Sequence, residues 1–177
     1  MQRQLSLEKN LETAIVLDYP YPWDIGAPLP QVISDGNQTF LFYYVGEKKK
    51  RWESFSEEVI DLGGSSQSLL ALVTFEYCYA HKLEGINDEV IEAHPLFSHG
   101  LEAYELHKIE NSVWVTQQMK THSIHSNFSE ESWNLRNHYV FTFHDEIFEC
   151  IANGFQVEVF RGSRKALFLE IAKRMFS

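Results

Sequence analysis

HYVFTFHDEIFECIANGFQVEVF, from His138 to Phe160, is the stretch of sequence that decides the fold. It is rich in β-branched and aromatic residues, and Asn153-Gly154 within it is the strongest short-range signal for a two-residue hairpin turn. A second two-residue turn at Asp145-Glu146 divides the remainder into two further strands. We therefore predict an antiparallel meander of three short strands.

The two turns predict a register for the meander. The Asn153-Gly154 turn places Glu149 opposite Glu158, and the Asp145-Glu146 turn places Phe143 opposite Phe148. Because side chains alternate along a strand with a period of two, nine apolar residues of the three strands fall on one face. We predict that this face belongs to the core, with Tyr139, Phe141, Phe143, Phe148, Cys150 and Val157 among its members.

The reverse face of the meander is mixed, and it carries His138, His144, Glu149 and Glu158. Two carboxylates directly opposite each other cost stability, so Glu149 and Glu158 must be solvated, share a proton or be bridged by a cation. Solvation is the default interpretation. Because histidine and carboxylate are common metal ligands and acid/base groups, His144, Glu149 and Glu158 together form a candidate metal site.

Length, composition and charge restrict the class of protein. The chain has 177 residues, of which 44% are hydrophobic and 14% aromatic, as is typical of a folded globular protein. The formal net charge of −10 repels phosphate backbones and anionic membrane surfaces, so we expect neither nucleic acid nor a membrane as partner. No apolar run approaches the roughly 20 residues of a membrane span, and the start of the chain lacks a signal-peptide core, so we expect a cytoplasmic protein.

The rest of the chain adds strands and a few helices. Residues 67–80 form the longest apolar run, typical of an interior strand. Asn87, Ser112 and Ser163 are each placed to cap a helix, and the last, C-terminal helix presents an apolar stripe of Leu167, Phe168, Ile171 and Met175. We predict the α+β class, with a curved, mainly antiparallel sheet of about six to eight strands, a C-terminal helix and one or two shorter helices.

The domain organisation is predicted to be simple. No internal repeat or low-complexity linker divides the chain, so we expect one globular domain over residues 1–177, with residues 1–10 as a flexible arm. Prolines at four positions between Tyr19 and Pro30 predict an extended, ordered loop. The basic run GEKKKR at residues 46–51 is typical of a solvated loop tip.

Eight histidines, all between His81 and His144, are the uncommon feature of the composition. Two of them, His94 and His99, flank a proline-containing turn that ends at Gly100, and this loop is a candidate lip of a pocket. The competing interpretation is a tight connection whose histidines bond to backbone carbonyls.

No phosphate-binding loop, dinucleotide fingerprint, nucleophile elbow or zinc-protease helix occurs in the sequence. Two hypotheses of function remain. The first is an acidic cytosolic binding or interaction protein without catalysis, whose partner is a basic protein or a small molecule. The second is a metal-dependent, hydrolase-like enzyme that uses histidine and carboxylate ligands. No cofactor is predicted, apart from a divalent metal such as zinc under the second hypothesis, and homo-oligomerisation stays open.

Overall fold

A computed structural model describes residues 11–46 and 58–176, and this part of the chain contains ten strands and three α-helices. The strands are β1 (Thr13–Val16), β2 (Gln31–Ser34), β3 (Thr39–Tyr44), β4 (Val59–Asp61), β5 (Leu69–Glu76), β6 (Ala80–Glu84), β7 (Leu106–Glu110), β8 (Asn137–Thr142), β9 (Ile147–Ala152) and β10 (Gly154–Arg161). The helices are α1 (Val113–His122), α2 (Glu130–Asn134) and α3 (Arg164–Met175).

The α+β class, the antiparallel character and the C-terminal helix are confirmed. The strands form two five-stranded sheets, in the orders β1-β7-β8-β9-β6 and β2-β3-β5-β10-β4, where one sheet of six to eight strands was expected. The chain forms two compact units: the first contains residues 11–17 and 79–153, and the second contains the described part of 18–78 together with 154–176. The expectation of one domain over residues 1–177 stays a prediction.

The predicted hairpin at Asn153-Gly154 is wrong. Strand β9 pairs with β8 and β6, whereas β10 pairs with β5 and β4 in the other sheet. A type I′ turn needs positive φ at both central residues, and neither Asn153 nor Gly154 is among the described residues with positive φ. The chain therefore passes from β9 to β10 without a hairpin, and Glu149 is not paired with Glu158.

The hairpin between β8 and β9 forms, with a register shifted by two residues. Phe141 lies opposite Phe148, where Phe143 was expected, because Phe143 N–H donates to Glu146 and the turn falls at His144 and Asp145. A shift of two residues preserves the face that each side chain occupies. Phe141 and Phe148 are accordingly fully buried, as predicted.

The reverse face of β8 and β9 is also covered in the first unit. Val140 and Ile147 on this face pack with Ile91, Leu96 and Leu101 from the long connection between β6 and β7. The connection contains two short 3₁₀ helices, Ile91–Ala93 and Phe97–His99, where a helix capped by Asn87 was expected. Side chains on both faces of this hairpin are thus buried.

The second unit is built around β5, the apolar run that was expected to be an interior strand. Its residues Leu70–Val73 are fully buried, and the strand lies between β3 and β10. Helix α3 contributes Leu167 and Ile171 to a core cluster with Phe40, Phe42, Leu70, Leu72 and Phe160. The predicted stripe is wrong at Phe168, which is 52% exposed.

The proline-containing segment before β2 is an ordered loop, as predicted. Trp23 forms a bridge with Val45 and is buried, and Tyr19 Oη lies 2.6 Å from Tyr43 Oη. The predicted arm at 1–10 and the basic residues 47–51 lie outside the described residues. No helix in residues 11–46 and 58–176 is long and apolar enough to cross a membrane.

Candidate functional site

The register of the first sheet brings Lys82, His138 and Glu149 together. Lys82 of β6 lies directly opposite Glu149 of β9, whose other neighbour is Val140 of β8. His138 stands two residues before Val140, so it projects from the same face as Glu149 and lies diagonally across from it. Lys82 Nζ is 2.6 Å from Glu149 Oε1, and His138 Nε2 is 2.8 Å from Glu149 Oε2.

His94 reaches the same carboxylate from the connection between β6 and β7. It follows the 3₁₀ helix Ile91–Ala93, and its backbone N–H donates to Ile91. Its Nδ1 accepts from the Leu96 N–H at 3.2 Å, so its Nε2 carries the proton and donates to Glu149 Oε1 at 3.2 Å. Glu149 therefore accepts from two histidines and one lysine.

Glu149 is a buried, ionised carboxylate, with a side chain that is 3% exposed. Burial by itself raises the pKa of a carboxyl group, but the hydrogen bonds from His138, His94 and Lys82 outweigh burial and hold the pKa of Glu149 well below its usual range. Burial likewise lowers the pKa of Lys82, and the bonds to Glu149 and Glu84 raise it above its usual value. The pair is a carboxylate and an ammonium at neutral pH.

Helix α1 begins beside this cluster, at the residue that its sequence predicts. Ser112 caps the helix by accepting from Val115 N–H at 3.2 Å, and the same Oγ lies 2.9 Å from His138 Nδ1. The indole of Trp114, in the first turn, meets the His138 ring edge to face at 5.1 Å between centroids. His138 thus bridges the helix cap and Glu149.

Two cavities of the first unit adjoin the cluster. The first, of about 390 Å³, has Glu149 and His138 at its wall, and we call it the carboxylate cavity. The second, of about 490 Å³, is lined by Ser112 and His138, and we call it the serine cavity. His138 lines both cavities. Further residues of the carboxylate cavity are Glu12, Lys82, Glu84, Ile86, His94, Leu96 and Trp114.

The residues of the predicted metal site have separate partners. His144 is 38% exposed and lies in the β8–β9 turn, where its hydrogen bond to Asp145 raises its pKa. Glu158 lies on β10 in the second unit and accepts from Arg174 at 2.5 and 3.2 Å. Glu149, expected to be solvated, is buried. Within residues 11–46 and 58–176, no group of three or more His, Cys, Asp or Glu side chains has the arrangement of a metal site.

The two histidines of the predicted pocket lip have different environments. His94 lines the carboxylate cavity, with its ring held between Leu96 and Glu149. His99 ends the 3₁₀ helix Phe97–His99, and its Nδ1 is buried without a hydrogen-bond partner. The neighbouring Gly100 has a φ of 96°, in the left-handed region that glycine adopts readily.

Sequence reasoning missed Lys82 and the link between Ser112 and His138. Ser112 was expected as a helix cap, but its contact with His138 joins residues 26 positions apart and leaves no local signal. Lys82 lies on an edge strand whose sequence, AHKLE, alternates too weakly to identify a face. Only the pairing of β6 with β9 places its ammonium beside Glu149.

Comparisons with protein-family models, with curated proteins and with solved structures found no match for this chain.

Proposed function

We propose that this protein binds a small organic cation, and that Glu149 receives the primary ammonium group of the ligand in the carboxylate cavity. The observation that carries the proposal is the contact between the buried Glu149 carboxylate and the ammonium of Lys82, whose side chain is 40% exposed at the cavity wall. A buried carboxylate is stable only with a positive or hydrogen-bonding partner, and this one has a partner that a ligand can replace.

The charge of the cavity favours a cation. Its lining contains the carboxylates of Glu12, Glu84 and Glu149 against the single ammonium of Lys82, among the residues that the structure describes. The net charge of the whole chain, −10, acts in the same direction by raising the local concentration of cations. Apolar walls complete the cavity and suit a short hydrocarbon chain; they include Ile86, Leu96 and Trp114.

Lys82 marks the position where an ammonium is recognised. Its Nζ lies 2.6 Å from Glu149 Oε1, 2.8 Å from Glu84 Oε2 and 5.7 Å from the centroid of the Trp114 ring. Two carboxylates and an aromatic face are the groups that proteins use to bind amines. The lysine chain is flexible, so its ammonium can move out into water when the ammonium of a ligand takes its place beside Glu149 and Glu84.

Chemical rescue of a Lys82→Ala variant tests this proposal. The variant leaves Glu149 without its ammonium partner, so its melting temperature is expected to fall by several degrees. Propylamine and butylamine should restore the melting temperature, with Kd on the order of 1 mM, as expected for ligands of this size. Butanol, which has the same chain without the charge, should not.

Lys165→Ala is the matched control, because Lys165 is an exposed lysine of α3 in the second unit. Its stability is expected to be independent of amine. If folded Lys82→Ala binds butylamine no better than Lys165→Ala does, measured by calorimetry, the proposal is wrong.

A further inference from the structure

Ser112, His138 and Glu149 form a continuous hydrogen-bonded chain that amine binding does not require. Ser112 Oγ is 2.9 Å from His138 Nδ1, and His138 Nε2 is 2.8 Å from Glu149 Oε2. Ser112 is 6% exposed and His138 is 2% exposed, so both bonds are shielded from water. Shielding strengthens such bonds and holds the three groups in one arrangement.

The direction of each hydrogen bond follows from Glu149. An ionised carboxylate only accepts, so His138 Nε2 must carry a proton and donate it. In the neutral imidazole Nδ1 is then the acceptor, and the hydroxyl hydrogen of Ser112 points at it. The lone pairs of Ser112 Oγ receive the Val115 N–H at 3.2 Å. A hydroxyl that donates to an imidazole, itself oriented by a buried carboxylate, is the arrangement of a serine nucleophile with its base.

Two other serine caps in the protein show what is particular to Ser112. Ser129 caps α2 by accepting from Ser132 N–H at 3.3 Å, and Ser163 caps α3 by accepting from Ala166 N–H at 3.2 Å. Both are exposed, and in the described part of the chain neither hydroxyl is bonded to a histidine. Capping a helix therefore does not require the imidazole that Ser112 has.

The serine cavity indicates the chemical class of a substrate. Its volume, about 490 Å³, is sufficient for a small ester, and its lining includes two basic side chains, Lys108 and Arg136, against one carboxylate, Glu110. Arg136 lies over the ring of Trp133 at 4.1 Å, and its Nε is buried without a hydrogen-bond partner. No carboxylate forms an ion pair with Arg136 within the described residues. A guanidinium in this state is a site for an anionic group.

We infer that Ser112 is an acyl-accepting nucleophile toward a carboxylic ester that bears a negatively charged group. Ser112 Oγ attacks the carbonyl carbon while its proton moves to His138 Nδ1. The bond from carbon to the leaving oxygen then breaks, and that oxygen takes the proton from Nδ1. Water, deprotonated by the same Nδ1, releases the acid and restores the serine. This activity goes beyond the proposed amine binding, since it uses the serine cavity.

A fluorophosphonate probe and a chromogenic ester test the inference on the full chain. The probe is expected to label Ser112, as located by peptide mass, and His138→Gln should slow labelling at least about 100-fold, because general-base catalysis contributes on that order. Ser112→Asn keeps a good helix cap while removing the nucleophile, so it should stay folded and unlabelled. Ser163→Ala, in the second unit, should label like the unaltered chain.

The mono-4-nitrophenyl ester of succinic acid should be hydrolysed at least tenfold faster, in kcat/KM, than 4-nitrophenyl acetate, and Arg136→Gln should remove this preference. Glu149 is a positioning residue, so Glu149→Gln should lower kcat with KM changed less than twofold. A folded chain whose Ser112 is not labelled, or whose labelling is unchanged in His138→Gln, overturns the inference. Equal rates for the two esters overturn the assignment of an anionic substrate.

Discussion

The two units of the molecule bury different kinds of side chain. Counting tyrosine and tryptophan as hydrophobic, seven buried residues among those described are polar or charged, and only Thr39 of these belongs to the second unit. The six in the first unit are His94, His107, Ser112, His138, Thr142 and Glu149. Both units are five-stranded sheets with helices, so sheet architecture does not account for the difference.

The difference separates an apolar core from a core that contains ionisable groups. A buried polar group destabilises a fold unless every hydrogen bond is made, so an apolar core is the simpler way to stabilise a sheet. The second unit has such an apolar core, which includes Phe40, Leu72, Phe160 and Leu167. The first unit instead keeps an ionised carboxylate and its donors beside two cavities. We therefore expect the two units to respond differently to substitution and to acid.

Leu167→Ala tests whether the second unit depends on apolar packing. Leu167 is fully buried in the cluster between α3 and its sheet, so the substitution removes buried methyl groups and leaves a cavity. The free energy of unfolding is expected to fall by about 2–5 kcal/mol. Urea denaturation measures this change, and a loss below about 1 kcal/mol would show that the packing of α3 is loose.

Acid should destabilise the first unit through His107. Burial lowers the pKa of His107 from 6.5 to about 4. Below pH 6.5 the unfolded chain binds a proton at His107 that the folded chain does not bind. The buried, neutral His107 therefore contributes stability that is fully present above pH 6.5 and is lost as the pH falls towards 4. The contribution of His107 to the free energy of unfolding is about 3 kcal/mol at most.

Urea denaturation of the unaltered chain and of His107→Gln, at pH 7 and pH 4.5, measures the contribution of His107. The unaltered chain should lose more stability between the two pH values than the variant does. Equal losses would show that His107 titrates alike in the folded and unfolded chains.

Glu149→Gln tests the ionised centre of the first unit. The substitution keeps the size of the side chain but replaces a carboxylate that accepts from three donors with a neutral amide. A loss of about 2 kcal/mol is expected at pH 7, because hydrogen bonds to charged groups are stronger than neutral ones. The depressed pKa of Glu149 means that its contribution is present above pH 4.5 and disappears as the pH falls. A variant as stable as the parent at pH 7 would argue against a buried charge.

Phe168→Ser should have the smallest effect. Phe168 follows Leu167 in α3, but it is 52% exposed, so its removal is expected to change the free energy of unfolding by less than about 0.5 kcal/mol. Thermal or urea unfolding of Phe168→Ser and Leu167→Ala, measured side by side, compares the losses of stability of the two variants. A loss similar to that of Leu167→Ala would mean that the helix buries a different face.

The sequence predicted the faces of strands better than their partners. Phe141 and Phe148 are buried as expected, because a period of two is local and survives the register shift at the His144 turn. The failure at Asn153-Gly154 has a nonlocal cause. Strand β10 forms an eight-residue ladder with β5, far away in the chain, and this pairing outweighs the short-range preference of the turn.

The candidate site was predictable only in part, because the sequence indicates which face a side chain occupies but not which distant residues contact it. His138 and Glu149 were assigned to one ambiguous face from their spacing, and that face contains the site. The contacts of Lys82, His94 and Ser112 with Glu149 or His138 were not predicted. These residues reach the site only through the pairing of β6 with β9, the path of the long connection between β6 and β7, and the position of α1. Contacts of this kind depend on tertiary structure, and composition or spacing does not report them.

Both the ammonium site and the direction of the serine hydrogen bond depend on the ionisation of Glu149. Carbon-13 NMR of the Glu149 carboxyl across the pH range in which the chain stays folded measures it directly. We expect a carboxylate chemical shift that is constant from pH 8 down to pH 5, with no titration midpoint at or above the ordinary value of 4.5. A midpoint at 4.5 would show that the hydrogen bonds do not lower the pKa of Glu149, and a midpoint above pH 7 would show a neutral carboxyl group at neutral pH, which contradicts both proposals.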